Sequence, residues 1–171
     1  PSSGSPSSGS PSSAPPPAGP PPGSPSPAAG RHRVDAGLSY LHTAVGISGG
    51  ANSVLTTPAQ ARSYPQWFDR SGEHEIADRL RAVVGRPGDA QPLPAPGRAL
   101  VAVTAAVGCG QPRGAELWAD GTDLSVRWTG TAAAPRECLA PFRAVAVFQV
   151  PVGALPAHPT IGGRQPDPAN P

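Results

Sequence analysis

Lysine and methionine are both absent from this 171-residue chain; its 13 basic residues are all arginine. A chain without lysine has no GxxxxGK[ST] loop, which excludes the usual cradle for nucleoside triphosphates. An all-arginine basic set is what a GC-rich coding sequence produces, so it carries no functional meaning by itself. Net charge is only +2, and the arginines are scattered from Arg31 to Arg164. Nucleic-acid binders concentrate basic charge on one face or segment, so no nucleic-acid partner is expected. No apolar run approaches the roughly 18 residues that a spanning helix needs. With no initiator methionine and no signal sequence, the chain is expected to be a processed product, and no cysteine stands first to take a lipid. Membrane association is therefore expected only through a lipid anchor not present in this chain.

Proline and glycine, by contrast, are abundant, at 26 and 21 residues. That is well above the usual ~5% and ~7% of a globular chain. The excess is concentrated in residues 1–30, which begin PSSGSPSSGSPSSAP and continue Pro-, Ser- and Gly-rich. This stretch has no charge and nothing larger than proline to bury, so a disordered stalk is expected there. In polyproline II form it would reach about 90 Å at roughly 3.1 Å per residue. Serine beside proline also suits O-glycosylation. Residues 31–160 then read as one small domain of about 130 residues, enough to bury a single core. Residues 161–171 read as a disordered tail.

Within the domain, Gly37–Ser48 shows partial alternation and is expected to be a strand, with Leu38, Tyr40, His42 and Ala44 on one face. Residues 52–57, NSVLTT, give a short extended piece into Pro58. Pro58–Phe68 can start a helix, because proline is tolerated in the first turn, and Pro65 interrupts it. The principal helix is expected over Ser71–Val84, with Ser71 as N-cap, Glu73 and Glu75 in the first turn, and a stripe of Ile76, Leu80 and Val83. Gly85 ends it. Ala99–Val107 is a continuous apolar run and reads as a buried strand. Glu116–Ala119 and Leu124–Trp128 flank Asp120-Gly121, a hairpin signal. Ala144–Val150 is the last strand. The fold expected is α+β and mainly β: a small antiparallel sheet or sandwich with one principal helix.

Candidate chemistry is sparse. Cys109 and Cys138 are the two cysteines, and the favoured reading is a disulfide, with two free core thiols as the alternative. Closing this ~30-residue loop would stabilise the fold by about 3–4 kcal/mol on the chain-entropy model. A disulfide implies an oxidising, extracytoplasmic compartment. Gly46-Ile47-Ser48-Gly49-Gly50 matches G-x-S-x-G, which in hydrolases exposes a serine nucleophile on a strand-to-helix elbow. The residues that follow do not read as a helix, so a glycine-rich turn explains the same letters. Glu73-His74-Glu75 lies on a helix, where neighbours point about 100° apart and do not converge on one ion; a solvated first turn is expected. Asp120 and Asp123 bracket the hairpin turn, where aspartate favours turn geometry, with calcium as the weaker reading. No cofactor or metal site is expected. For Trp67, Trp118 and Trp128 core is the favoured reading, Trp128 being in phase with Val126. The alternative for Trp118 is that it faces the other way and anchors a binding surface.

The order of these elements, with VLTTPAQARSYPQWF leading into a helical region, ALVAVTAAVG, a hairpin and a last strand led by PFRAVAVFQVP, resembles the PrcB C-terminal-type domain. The likeness spans about Ser53 to Pro156. That family is a small bacterial secreted or lipoprotein module associated with a surface protease complex. At the family's usual Thr-Gly-Gly-Tyr turn this chain has Gly108-Cys109-Gly110-Gln111-Pro112, and the cysteine pair is extra. The stalk and arginine-only usage also resemble secreted lipoproteins of actinobacteria. The resemblance implies a secreted or envelope protein as partner, a protease among the options, and a protein at the cell surface. The function expected is a non-catalytic binding or scaffolding module, with the hairpin residues Trp118, Asp120 and Asp123 as its surface. The alternatives are a small serine hydrolase using Ser48 and a structural wall or coat component.

Overall fold

The computed structural model describes residues 1, 30–134 and 137–171; the stalk expected over residues 1–30 lies almost wholly outside them. Eight strands and three α-helices follow one another in the described residues. They are β1 (His32–Arg33), β2 (Gly37–Val45), β3 (Ser53–Leu55), α1 (Pro58–Ser63), α2 (Gln66–Asp69), α3 (His74–Val84), β4 (Arg98–Gly108), β5 (Gly114–Asp120), β6 (Asp123–Thr129), β7 (Phe142–Pro151) and β8 (Thr160–Ile161). The chain is α+β and mainly β, with α3 its principal helix. One sheet has the order β2-β7-β4-β3 and is antiparallel throughout; the other has the order β1-β5-β6-β8, with β8 parallel to β6.

The layers follow from the sequence. The continuous apolar runs of β4 and β7 occupy the middle of the first sheet, and both faces of that sheet are covered. Leu100, Ala102, Val145 and Val147 face a cluster with Tyr64, Phe68, Ile76, Leu80 and Val84 from the helices. Val101, Val103, Ala146, Phe148 and Val150 face the second sheet, meeting Leu117, Ala119, Leu124 and Ile161. A strand buried on both faces has no polar alternation, which is why these two read as unbroken hydrophobic stretches. β5 and β6 alternate because only their inner faces are covered. Their two-residue connection places Gly121 at φ 59°, a conformation that glycine adopts at no steric cost.

The helical segment is punctuated as expected by Pro65, which separates α1 from α2. Thr57 and Gln60 form a capping box at α1, with Pro58 in its first turn. The start of α3 differs from the expectation. Ser71 does not cap it: the Ser71 hydroxyl donates to the Trp67 carbonyl at 3.2 Å, closing α2 instead. Glu73 is the N-cap of α3, and its side chain turns away from the helix. The buried stripe is Ile76, Ala77, Leu80 and Val84, an i, i+1, i+4, i+8 set, with Val83 only half-buried at the edge of that face.

The expected tail is also corrected. Thr160–Ile161 is a strand, Ile161 is buried in the second-sheet cluster, and the residues beyond it are bound to the domain. Asn52 and Asp167 bond reciprocally: the Asp167 amide donates to the Asn52 carbonyl at 2.7 Å, and the Asn52 amide donates to Asp167 Oδ2 at 2.9 Å. Ser53 Oγ and Trp67 Nε1 both donate to the Pro168 carbonyl, each at 3.2 Å. These closing residues therefore run beside the three-residue edge strand β3.

Candidate binding surface

Cys109 and Cys138 form a disulfide with a Cα–Cα separation of 5.8 Å and a sequence separation of 29. Cys109 follows β4 and Cys138 precedes β7, the two central strands of the first sheet, while the segment between them is the β5–β6 hairpin of the second. The bond thus closes the base of the excursion that builds the outer sheet. Its presence fits an oxidising, extracytoplasmic environment. Among the described residues, no helix is long and apolar enough to cross a membrane.

On that outer sheet, residues 115, 117 and 119 of β5 point inward, so Glu116, Trp118 and Asp120 share the opposite face. Trp118 belongs to neither buried cluster, whereas Trp128 packs on the second-sheet core and Trp67 on the helical one. The Trp118 ring is held from both sides. Its indole N–H donates to Glu116 Oε2 at 3.3 Å, and the Arg31 guanidinium stands 5.6 Å from the ring centroid. Arg33, opposite Trp118 in the β1–β5 register, lies 3.6 Å from Glu116 Oε1. Such a half-exposed indole keeps a rigid apolar face and a polar edge available to a partner. Asp120 is exposed at the end of the same face.

Asp123 has a different place. Its Oδ1 accepts from Thr160 Oγ1 at 2.8 Å and from the Gly163 amide at 2.7 Å, so it anchors β8 and the turn after it. Of the three residues expected at the surface, the fold brings Trp118 and Asp120 together on one strand face and commits Asp123 to holding the chain's closing segment.

The Gly46–Gly50 segment is a loop between β2 and β3, with no strand-to-helix elbow. Its glycines are explained by close approach to the helices. A Cβ at Gly49 would stand 2.6 Å from Glu73 Oε2 and 2.9 Å from the Trp67 carbonyl; one at Gly50, whose φ is 97°, would stand 2.4 Å from Thr104 Oγ1. The Glu73 carboxylate accepts from the Ser48 amide at 2.5 Å, from the Ser48 hydroxyl at 3.1 Å and from the Gly49 amide at 3.1 Å. Glu73 is therefore no member of a solvated first turn: it clamps the glycine loop to the start of α3. The sequence signal for this clamp is faint, since it joins positions 25 residues apart. Replacing Glu73 with alanine leaves the buried Gly49 amide without its acceptor while water can take the exposed Ser48 amide, and is expected to cost about 1–2 kcal/mol. Denaturant titration measures the loss, and amide exchange should locate it in residues 46–50.

The histidines are dispersed among other duties. His74 Nδ1 lies 3.2 Å from Asp69 Oδ1, and Arg81 also bonds Asp69. Burial, the largest single influence on Asp69, raises its carboxyl, but the hydrogen bonds and charges of His74 and Arg81 outweigh it and hold the group below its ordinary range. His42 Nδ1 lies 3.4 Å from Arg79 Nη1; burial, then the Arg79 charge, pushes the imidazole below its ordinary value. Tyr64 is fully buried, donates to the Ala51 carbonyl at 2.7 Å, and has its phenol pushed up to about 12 by burial. The Ser48 hydroxyl is bonded to a carboxylate, and no histidine bonds it among the described residues. No group of three or more His, Cys, Asp or Glu side chains placed to hold a metal ion occurs among the described residues. A cavity of about 740 Å³ at the C-terminal end of α3 is lined by Arg62, Arg81, Arg86, Asp78 and Asp89 among others, with no histidine, serine or cysteine. Within it Arg81 is already paired with Asp78.

The fold and surface define a class: a disulfide-pinned, three-layer α+β domain with an aromatic-anchored outer sheet. Comparison with protein-family models, with curated proteins and with solved structures finds no match.

Proposed function

We propose that this chain is a non-catalytic binding or scaffolding module that works outside the cytoplasm and docks on a secreted or cell-envelope protein. The observation that carries the reading is Trp118, a large aromatic side chain on an outer sheet face, outside both cores and braced by Arg31 and Glu116. Tryptophan and arginine are enriched among the few residues that carry most of the binding energy of protein interfaces. The extracytoplasmic placement rests on the disulfide, and the Pro/Ser-rich leading residues suit a spacer that holds the domain away from a surface. The resemblance in element order to PrcB C-terminal-type modules agrees with this reading and makes a surface protease complex one class of partner to test.

Trp118→Ala is the direct test. Because the side chain lies outside both cores, the variant should keep the unfolding midpoint within about 0.5–1 kcal/mol of the parent. Its capture of a partner from envelope and culture-fluid extracts of the source organism should fall at least tenfold, on the scale of about 1.4 kcal/mol per decade. Undiminished capture removes this face from consideration. Labelling by a fluorophosphonate probe that is lost in Ser48→Ala would replace the binding reading with the hydrolase one.

A further inference from the structure

The two sheets end in four edges, and three of them are short. β1, β3 and β8 have two, three and two residues, and the closing segment runs beside β3. β2 differs. It is nine residues long, it is paired with β7 on one side only, and its other edge has no strand partner among the described residues. Its sequence, GLSYLHTAV, contains no proline and no residue with a formal charge at neutral pH, with burial and Arg79 holding His42 toward its neutral form. Long bare edges of this composition pair with other chains, and proteins that avoid pairing place lysine or proline there.

We propose that β2 pairs antiparallel with β2 of a second copy of this chain, joining two four-stranded sheets into one of eight strands. The register follows from the irregularity at Ser39. The β2–β7 register runs Leu38↔Phe148 and then Tyr40↔Val147, so Ser39 is the extra residue of a bulge and Leu38 takes the face opposite to that of Tyr40. Leu38 therefore lies on the same side of the sheet as Leu41, Thr43 and Val45. Leu38 and Val45 are large apolar side chains left 39% and 52% exposed at the two ends of this strand. Counted along the ladder, each stands three steps from His42. A two-fold axis at His42 sets Leu38 of each copy opposite Val45 of the other, Leu41 opposite Thr43, and Tyr40 opposite Ala44. Each exposed apolar side chain is then covered by its counterpart from the other copy, and the flanking Arg79 charge is already met by Glu75 of its own helix. The chain's own leading segment is a poor occupant for this edge, because its frequent prolines remove the N–H groups that a ladder requires.

The test uses the full chain in sedimentation velocity and light scattering, from micromolar to near-millimolar protein. The parent chain should move with concentration from its 17.1 kDa mass to twice that value and no further. Leu38→Lys and Val45→Glu should each raise the dissociation constant at least about tenfold. Near-UV circular dichroism should be unchanged, because both side chains are exposed. The double variant Leu38→Lys/Val45→Glu places lysine opposite glutamate twice and should recover the dimer. A parent mass that stays at one chain throughout overturns the proposal. So does a dimer that survives either single substitution, or a double variant that remains as dissociated as the single ones.

Discussion

Replacing both Cys109 and Cys138 with serine is expected to lower the stability of the domain by about 3–4 kcal/mol, measured as a fall in the denaturant midpoint. The size follows from the 29-residue separation, since the bond acts mainly by denying the unfolded chain the conformations in which these ends are apart. The location of the loss should be specific. The closed loop contains β5 and β6, whereas β4 and β7 pair with each other along ten register positions without help from the bond. Amide exchange in the double variant should therefore quicken most in residues 114–129 and least in residues 99–105 and 144–150. Uniform acceleration would mean that the bond stabilises the whole domain without pinning the outer sheet in particular.

The second large effect is expected at Phe68. The ring is wholly buried, meets Tyr64 edge-on at 5.9 Å between centroids, and lies against the Gly50 backbone beneath Thr104. Phe68→Ala removes the side chain through which α2 fills the space between the glycine loop and the first sheet. Truncations of this kind cost about 3–5 kcal/mol, from lost transfer energy and from the cavity left behind. The backbone here cannot easily collapse into the gap, because Glu73 and Arg143 hold the loop from two other sides, the latter through its bond to the Ile47 carbonyl at 3.0 Å. The loss should therefore fall toward the upper part of that range. Phe68→Leu, which refills most of the volume, should recover more than half of it in the same denaturant titration.

Much of this architecture was legible from the residues. β4 and β7 announced themselves as continuous apolar runs, and the structure shows why: each is sealed by helices on one face and by the second sheet on the other. The Asp120-Gly121 turn, the alternation of Leu124, Val126 and Trp128, and the cysteine pairing were equally local signals. What escaped the sequence depends on distant partners. Ser71 is a favourable N-cap residue, but the Trp67 carbonyl takes its hydroxyl, and α3 begins at His74. The closing residues look like a tail because no two consecutive apolar positions repeat there. Their order comes from Asn52, Ser53, Trp67 and Asp123, which lie 37 to 115 residues away in sequence.

The candidate surface divides in the same way. Trp118 was only half legible: core is the usual reading of a tryptophan on a strand, and its place outside both clusters follows from Leu117 and Ala119 taking the inward face. Asp120 and Asp123 look alike in sequence, flanking one turn. Only the return of the chain at Thr160 and Gly163 separates the exposed carboxylate from the anchoring one. The G-x-S-x-G letters had two explanations, and the close approach of Gly49 and Gly50 to the helical layer accounts for both glycines without catalysis.

The outer face of the second sheet as a docking surface is the central claim, and an amide-exchange footprint tests it most directly. The oxidised 171-residue chain would be followed alone and with the partner it captures. The account predicts slowed exchange or reduced solvent access across residues 31–33 and 114–129, with residues 46–50 unchanged, and no such footprint with Trp118→Ala. Protection centred on the glycine loop, or none on β5 and β6 while the partner is bound, would contradict it.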